Sequence, residues 1–192
     1  MSLLDIALVV VAYLAGAVPF GVLVARAMGV RDLQSRGSGN IGATNVNRTL
    51  GRGAGAVTLL LDVLKGFAPV WVAAGWGQSS ETAFLAAAAA VLGHIFPVFL
   101  RFRGGKGVAT GFGVLMALHF PTALIAFTLW VTAVAVSKVS AVGALAGFGS
   151  LPVVAWLWGP SGWFLPFACA LSVVVLVRHT DNVRRLIAER RR

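Results

Sequence analysis

The sequence predicts an all-α integral membrane protein of seven transmembrane helices, with its N-terminus outside and its C-terminus in the cytosol. Three observations carry this expectation. Hydrophobic residues make up 58% of the chain and charged residues only 11%, whereas soluble domains carry about 25% charged residues. The apolar residues fall into seven runs, and the positive residues, Lys65 within the second run apart, fall only in alternate gaps between them. A chain of 192 residues is expected to form a single domain over residues 1–192.

A bilayer core of roughly 30 Å takes about 20 apolar residues in a helix. The runs are 6–25, 54–77, 82–100, 107–118, 121–137, 139–158 and 162–177. The fourth is short, and reads either as a span of its own or as part of one long bent helix. Lys and Arg occur at 26, 31, 36, 48, 52 and 65, then at 101, 103 and 106, then at 138, then from 178 onward. The gaps 78–81, 119–122 and 159–162 have none. Seven crossings place every positive residue on one side, whereas six would move Lys138 and the C-terminal cluster across. The positive-inside rule therefore selects seven. Trp76, Trp158 and Trp163 sit at the outer ends, as interfacial aromatics do. No Lys or Arg precedes the first run, which is read as a retained span rather than a signal peptide. Cys169 is the sole cysteine, so no internal disulfide is expected. The short fourth span is expected to dip from a thinned or hydrated surface, beside a gap open to lipid.

A formal charge of +10 would suggest nucleic acid in a soluble protein. Here the charges flank apolar spans, so anionic headgroups and phosphorylated substrates are the expected partners, not nucleic acid. The first unusual cytosolic segment, 37–51, contains GxGxxG. No strand precedes it and no βαβ unit surrounds it, so it is not a dinucleotide fingerprint. Its glycines still allow backbone amides to converge on an anion. Ser38, Gly39, Asn40, Gly42, Thr44 and Asn45 are candidate substrate-binding residues, with Asn47 a further neutral donor. Arg48 supplies a planar fork suited to phosphate. The second segment, 93–107, ends in Gly104-Gly105-Lys106-Gly107 before an apolar helix, which places amides and an ammonium at a helix N-terminus. It is not a Walker A loop, because Leu100 stands where that pattern needs Gly and Gly107 where it needs Ser or Thr. His94 reads as a hydrogen-bonder at a helix end. In the third segment, 178–186, His179 and Asn182 lie one helical turn apart.

Asp62 and Lys65 lie three apart inside a span, where charges are costly and usually paired. They read as a structural pair or as part of the site. Ser140, at the remaining cytosolic turn, is a further substrate contact. Six acidic residues, two of them at the outer side, give no metal cluster, and no metal or cofactor is expected. A carrier for a phosphorylated anion would also use basic glycine-rich motifs, but it predicts internal repeats and polar groups at mid-membrane, and the polar groups here gather at one face. A mere membrane anchor leaves the Asn, Thr and His residues unexplained.

Together these segments resemble the bacterial acyl-phosphate:glycerol-3-phosphate acyltransferases, the PlsY family. The resemblance rests on 37–51, on Leu61-Asp62-Val63-Leu64-Lys65-Gly66, on 94–110, on Val139-Ser140, and on Arg178-His179 with Asn182 and Arg185-Leu186. It covers essentially the whole chain. In that family the third motif usually continues to Gly-Thr-Glu, whereas here Leu186 runs through Ile187-Ala188 to Glu189. The resemblance implies a multi-pass enzyme of the bacterial inner membrane with its active site facing the cytosol. It implies transfer of an acyl chain from acyl phosphate to the sn-1 hydroxyl of glycerol-3-phosphate, giving lysophosphatidic acid for phospholipid synthesis. A soluble enzyme that makes acyl phosphate is then an expected partner. The residues expected to carry catalysis are Arg48 and Lys106, which bind the two phosphates, and His179 and Asn182, which orient glycerol-3-phosphate. Gly104, Gly105, Gly107 and the first loop complete the cradles, and the acyl chain leaves beside the short span. His followed four residues later by Asp, the pattern of soluble acyltransferases, is absent: Val98 follows His94 and Val183 follows His179. No Ser–His–acid order is evident either. Acyl phosphate is already activated, so positioning and charge stabilisation are the expected mechanism. The hydroxyl proton passes to a substrate phosphate oxygen or to His179, and the arginines around His179 favour the former.

Overall fold

The structure, a computed structural model, describes residues 1–190, the side chains of Glu189 and Arg190 excepted. Arg191 and Arg192, which close the basic C-terminal cluster, lie outside the described residues. All regular structure among the described residues is helical. Two compact units divide the chain, Met1–Leu118 and His119–Arg192.

In the first unit, α1 (Leu3–Ala17) starts with a capping box. The Asp5 amide donates to Ser2 Oγ (3.1 Å), and Asp5 Oδ2 accepts from the Ser2 amide (2.8 Å), satisfying two otherwise orphaned donors. The other oxygen, Oδ1, accepts from the Gln78 amide (2.8 Å) and the Thr82 hydroxyl (2.7 Å). One buried carboxylate thus joins the start of α1 to the turn between α4 (Arg52–Trp76) and α5 (Thr82–Ile95). The first apolar run is not one straight helix. α1 ends at Ala17 and α2 (Phe20–Ala27) leaves at 40°, because Pro19 has no N–H and its ring excludes a continuous helix. A 3₁₀ turn (Leu33–Ser35) and α3 (Ala43–Leu50) follow before α4. A second 3₁₀ turn (Val98–Leu100) lies between α5 and α6 (Val108–Leu118).

Small residues set the packing, as in helices that meet within lipid. Gly16 of α1 lies against Ala90 of α5, and Gly93 of α5 against Tyr13 and Ala17 of α1. A side chain at either glycine would overlap the facing backbone. The same device joins α4 to α6, with Gly66 against Thr110 and Gly113 against Val63. Residues 110–115 of α6 are consequently all buried. The short helix is therefore packed against α4 and α5 through most of its length, where the sequence suggested a helix flanking a lipid-facing gap.

The second unit contains α7 (Phe120–Ser137), α8 (Ser140–Gly149), α9 (Leu151–Trp158), α10 (Phe164–Val177) and α11 (Thr180–Arg190). α7 and α8 meet through Gly143 and Gly147, which face Trp130 and Ala126. α10 packs on α8 and α9. Four stretches are long and apolar enough to cross a membrane: Arg52–Trp76, Thr82–Leu100, Phe120–Ser137 and Ser140–Trp158. The bent pairs α1–α2 and α10–α11 raise this to six, and α6 is a shorter apolar helix.

Candidate active site

The first loop is built around Asn45, buried at 2% exposure. Its Oδ1 accepts from the Ser38 amide (2.8 Å), and its Nδ2 donates to the carbonyls of Arg36 (3.0 Å) and Asn40 (2.8 Å). Asn40 in turn accepts from the Gly42 amide (2.8 Å) through its own side chain, an Asx turn. Both amide side chains, read from the sequence as ligand donors, thus hold the loop in shape. Gly37 and Gly39 adopt φ 59° and 72°, and a side chain at Gly37 would strike Asn45. What the loop presents outward is Ser38, Thr44, Asn47 and Arg48, all exposed. Thr44 and Arg48, four apart on α3, share one face. A small core of Val22, Ala25, Leu33, Ile41, Val46 and Ala54 lies beneath, with Leu100 of the second loop packed against it.

The second loop folds back on the end of α5. The Gly104 amide donates to the Ile95 carbonyl (3.2 Å) and the Gly105 amide to the His94 carbonyl (3.0 Å). This approach needs glycine at both positions: a Cβ at 104 would meet the His94 backbone, and one at 105 the His94 imidazole. Gly107, at φ 84°, turns the chain into α6. Lys106 is thereby held between two fixed glycines, half-buried at the start of a helix, where the partial positive charge of the helix end adds to its own. The two loops are linked directly, because Gln34 Nε2 donates to the Arg103 carbonyl (3.1 Å). No acidic residue occurs between Asp32 and Asp62 or between Glu81 and Asp181, so both loops are uniformly basic.

Beneath them lies the intramembrane pair. Lys65 Nζ is 2.8 Å from Asp62 Oδ1 and donates to the Val18 carbonyl at 2.8 Å. It also stands 5.7 Å from the centre of the Phe20 ring. That carbonyl sits beside Pro19 at the α1–α2 break, where the Phe20 amide (3.1 Å) takes it in place of a regular helical donor. The pair therefore anchors the break to α4, and His94 Nδ1 approaches the same Asp62 oxygen at 3.9 Å.

In the second unit, Ser140 opens α8. His179 lies at the 46° bend between α10 and α11, and its carbonyl accepts the first bond of α11 from the Val183 amide (3.0 Å). Asn182 remains one turn further on. His179 is buried, and its Nδ1 is 2.8 Å from the Val175 carbonyl. A carbonyl only accepts, so Nδ1 carries the hydrogen, and Nε2 is the basic nitrogen of the neutral ring. Among the described residues, no group of three His, Cys, Asp or Glu side chains is placed to hold a metal ion.

Residues 6–189 match the model of the glycerol-3-phosphate acyltransferases. The chain belongs to that family. It is 47% identical to a glycerol-3-phosphate acyltransferase of Rhodopseudomonas palustris (strain BisB5), over 94% of this chain and 91% of the relative. It is 41% identical to one of Endomicrobium trichonymphae, over 96% and 93%. The fold agrees with the crystal structure of PlsY, an integral membrane glycerol 3-phosphate acyltransferase, in its glycerol 3-phosphate form. The TM-score is 0.91 at 37% identity, covering 97% of this chain and 93% of that one. The lysophosphatidic acid form of PlsY gives 0.89 at 36% identity, with the same coverage.

For an acyltransferase of this family, the sequence marked both basic loops but passed over Gln34, which ties them together. A lone Gln has no pattern to announce it. Nor does Pro19 by itself announce the α1–α2 break, because membrane helices often tolerate proline.

Proposed function

We propose that this acyltransferase moves an acyl chain from acyl phosphate to the sn-1 hydroxyl of glycerol-3-phosphate, releasing lysophosphatidic acid and phosphate. The hydroxyl oxygen attacks the acyl carbon, and the bond from that carbon to the phosphate oxygen breaks. The electron pair leaves with the phosphate, and the hydroxyl proton passes to a phosphate oxygen. The observation that carries the reading is the pair of basic, glycine-shaped loops pinned to one another, one presenting Arg48 with Thr44 and the other Lys106. Two phosphate-bearing substrates call for two such cations. Arg48 offers a bidentate fork and Lys106 a compact charge at a helix start. Ser38, Gly39, Gly42, Gly104, Gly105 and Gly107 complete the cradles, and Asn40 and Asn45 keep the first of them in shape. His179 and Asn182 orient glycerol-3-phosphate, with Ser140 as a further contact.

The chain crosses the bacterial inner membrane seven times, α6 forming the short fourth span, with the basic loops in the cytosol. Lysophosphatidic acid then passes into the same membrane, and a soluble enzyme supplies acyl phosphate. Purified protein given acyl phosphate and glycerol-3-phosphate without added metal tests the reaction: lysophosphatidic acid forms, and acyl coenzyme A is a poor donor. Comparable turnover with acyl coenzyme A, or complete loss of activity with a chelator, refutes the donor assignment. Reporter fusions at Ser79, Thr122 and Ser161 test the topology by reading outside, and those at Thr49, Lys138 and Arg192 by reading inside. An outside signal at Lys138 refutes the seven-span model.

A further inference from the structure

The turn 97–103 has features that the proposed reaction does not use. It is compact and closed by its own backbone. The Leu100 and Phe102 amides donate to the Pro97 carbonyl (3.1 and 2.9 Å), Arg101 to Val98 (3.3 Å) and Arg103 to Leu100 (3.1 Å). Two successive non-glycine residues, Arg101 and Phe102, hold φ 50° and 63°, a region that bulky L residues rarely occupy. The turn displays Phe99 and Phe102, each 59% exposed, in alternation with the exposed Arg101 and Arg103. Leu100 packs against the core beneath the first loop, so the turn is seated and its aromatic and cationic side chains are presented. Between it and Gln34 lies a cavity of about 400 Å³, lined by Gln34, Phe99, Leu100, Arg101 and Arg103. None of the residues assigned to the two substrates lines it. Among the described residues neither guanidinium is paired with a carboxylate.

We propose that this cavity binds the phosphate headgroup of an anionic membrane phospholipid, with Phe99 and Phe102 set among the neighbouring acyl chains. Charge complementarity selects the occupant. Two guanidiniums with no acid beside them suit a headgroup of net negative charge, and a zwitterionic headgroup would bring its own cation to the same place. The phenylalanines select a lipid over free phosphate, because exposed aromatic rings beside arginines fit the headgroup–acyl boundary. Since Gln34 donates to the Arg103 carbonyl, a bound headgroup braces the turn against the segment leading into the first loop. Membrane charge thereby supports the geometry of a neighbouring site.

The test uses the intact protein in nanodiscs of phosphatidylcholine with or without phosphatidylglycerol. Native mass spectrometry of protein released from the discs counts retained lipid, and acyl transfer is followed in parallel. The wild type retains phosphatidylglycerol preferentially and is more active in its presence. R101Q/R103Q weakens that retention by roughly fivefold per arginine lost, and the activity difference between the two discs shrinks with it. K138Q/R184Q, which removes the same number of charges elsewhere, keeps the wild-type lipid preference. Equal retention of both lipids by the wild type, unchanged retention by R101Q/R103Q, or equal loss in K138Q/R184Q would each overturn the site. Displacement of the retained lipid by inorganic phosphate, or a raised KM for acyl phosphate as the sole change in R101Q/R103Q, would also overturn it. Retention is measured without turnover, so failure of the proposed reaction leaves this test intact.

Discussion

Removing one member of the Asp62–Lys65 pair should destabilise the protein far more than removing both. Both side chains are nearly inaccessible, and the ammonium has two close oxygen partners, Asp62 Oδ1 and the Val18 carbonyl, each at 2.8 Å. Asp62→Asn leaves a buried ammonium without its counter-charge, and breaking such a pair costs about 3–5 kcal/mol. Lys65→Met leaves a buried carboxylate and also removes one of two donors to the Val18 carbonyl, the Phe20 amide remaining, which adds roughly 0.5–1.5 kcal/mol. The double variant, D62N/K65M, retains only the loss at Val18 and the imperfect packing. It should be more stable than either single variant, with a coupling of at least about 2 kcal/mol. Reversible unfolding in mixed detergent micelles, run as a double-mutant cycle, measures this. Single variants that each cost less than about 1 kcal/mol, or effects that simply add, would refute the argument that this pair fixes the α1–α2 break.

Arg48→Ala and Lys106→Ala should each lower kcat/KM for one or both substrates by at least about tenfold. Arg48→Lys should not restore full activity, because an ammonium lacks the fork; near-wild-type kinetics in both alanine variants would place the site elsewhere. Gly105→Ala should abolish transfer through its clash with the His94 ring, and His94→Ala in the same chain should recover part of it. Gly104→Ala, whose Cβ meets the His94 backbone, should have no such rescue. His179→Gln should keep substantial activity, since Gln can still donate a hydrogen bond while a phosphate oxygen takes the proton. Loss of all activity with glycerol-3-phosphate binding intact would instead make His179 the base.

The spans were legible because lipid imposes a simple rule on length and polarity. The second run, read as 54–77, is a helix at Arg52–Trp76, and the fifth, read as 121–137, is Phe120–Ser137. The breaks within spans were not legible. Residues 6–25 and 139–158 are largely apolar, and a proline inside a membrane helix is tolerated often enough that Pro19 and Pro152 do not settle the backbone's path. The buried character of residues 110–115 depends on Gly66 and Gly113 meeting distant backbone, a contact that local pattern cannot encode. In the loops the sequence offers candidate donors by residue type but not the direction of each side chain. Asn40, Asn45 and Thr44 are all plausible donors by type. Only the folded loop decides that Asn45 turns inward to three backbone groups while Thr44 stays outside beside Arg48. Likewise the Asp62–Lys65 pairing follows from spacing, whereas its third partner, Val18, lies 47 residues away.

The investment in loop rigidity follows from the proposed chemistry. Acyl phosphate needs little activation, so most of the rate must come from holding a hydroxyl and an acyl carbon in line. Both substrates carry a phosphate that is separate from the attacking oxygen. Binding energy at those phosphates can serve orientation only if the cations that bind them do not move. The backbone at Arg48 is held in α3 by Asn45 and by the core around Ile41 and Val46. Lys106 is fixed by the return of Gly104 and Gly105 onto His94 and Ile95. That core also includes Val22 and Ala25 of α2, a helix whose direction is set where Lys65 takes the Val18 carbonyl. A charge pair within the membrane-spanning helices is therefore connected, through α2 and the small core above it, to the arginine proposed to hold a phosphate. On this reasoning a partly folded Asp62 or Lys65 variant should lose kcat before it loses affinity for either substrate, because misalignment weakens the transition state more than binding.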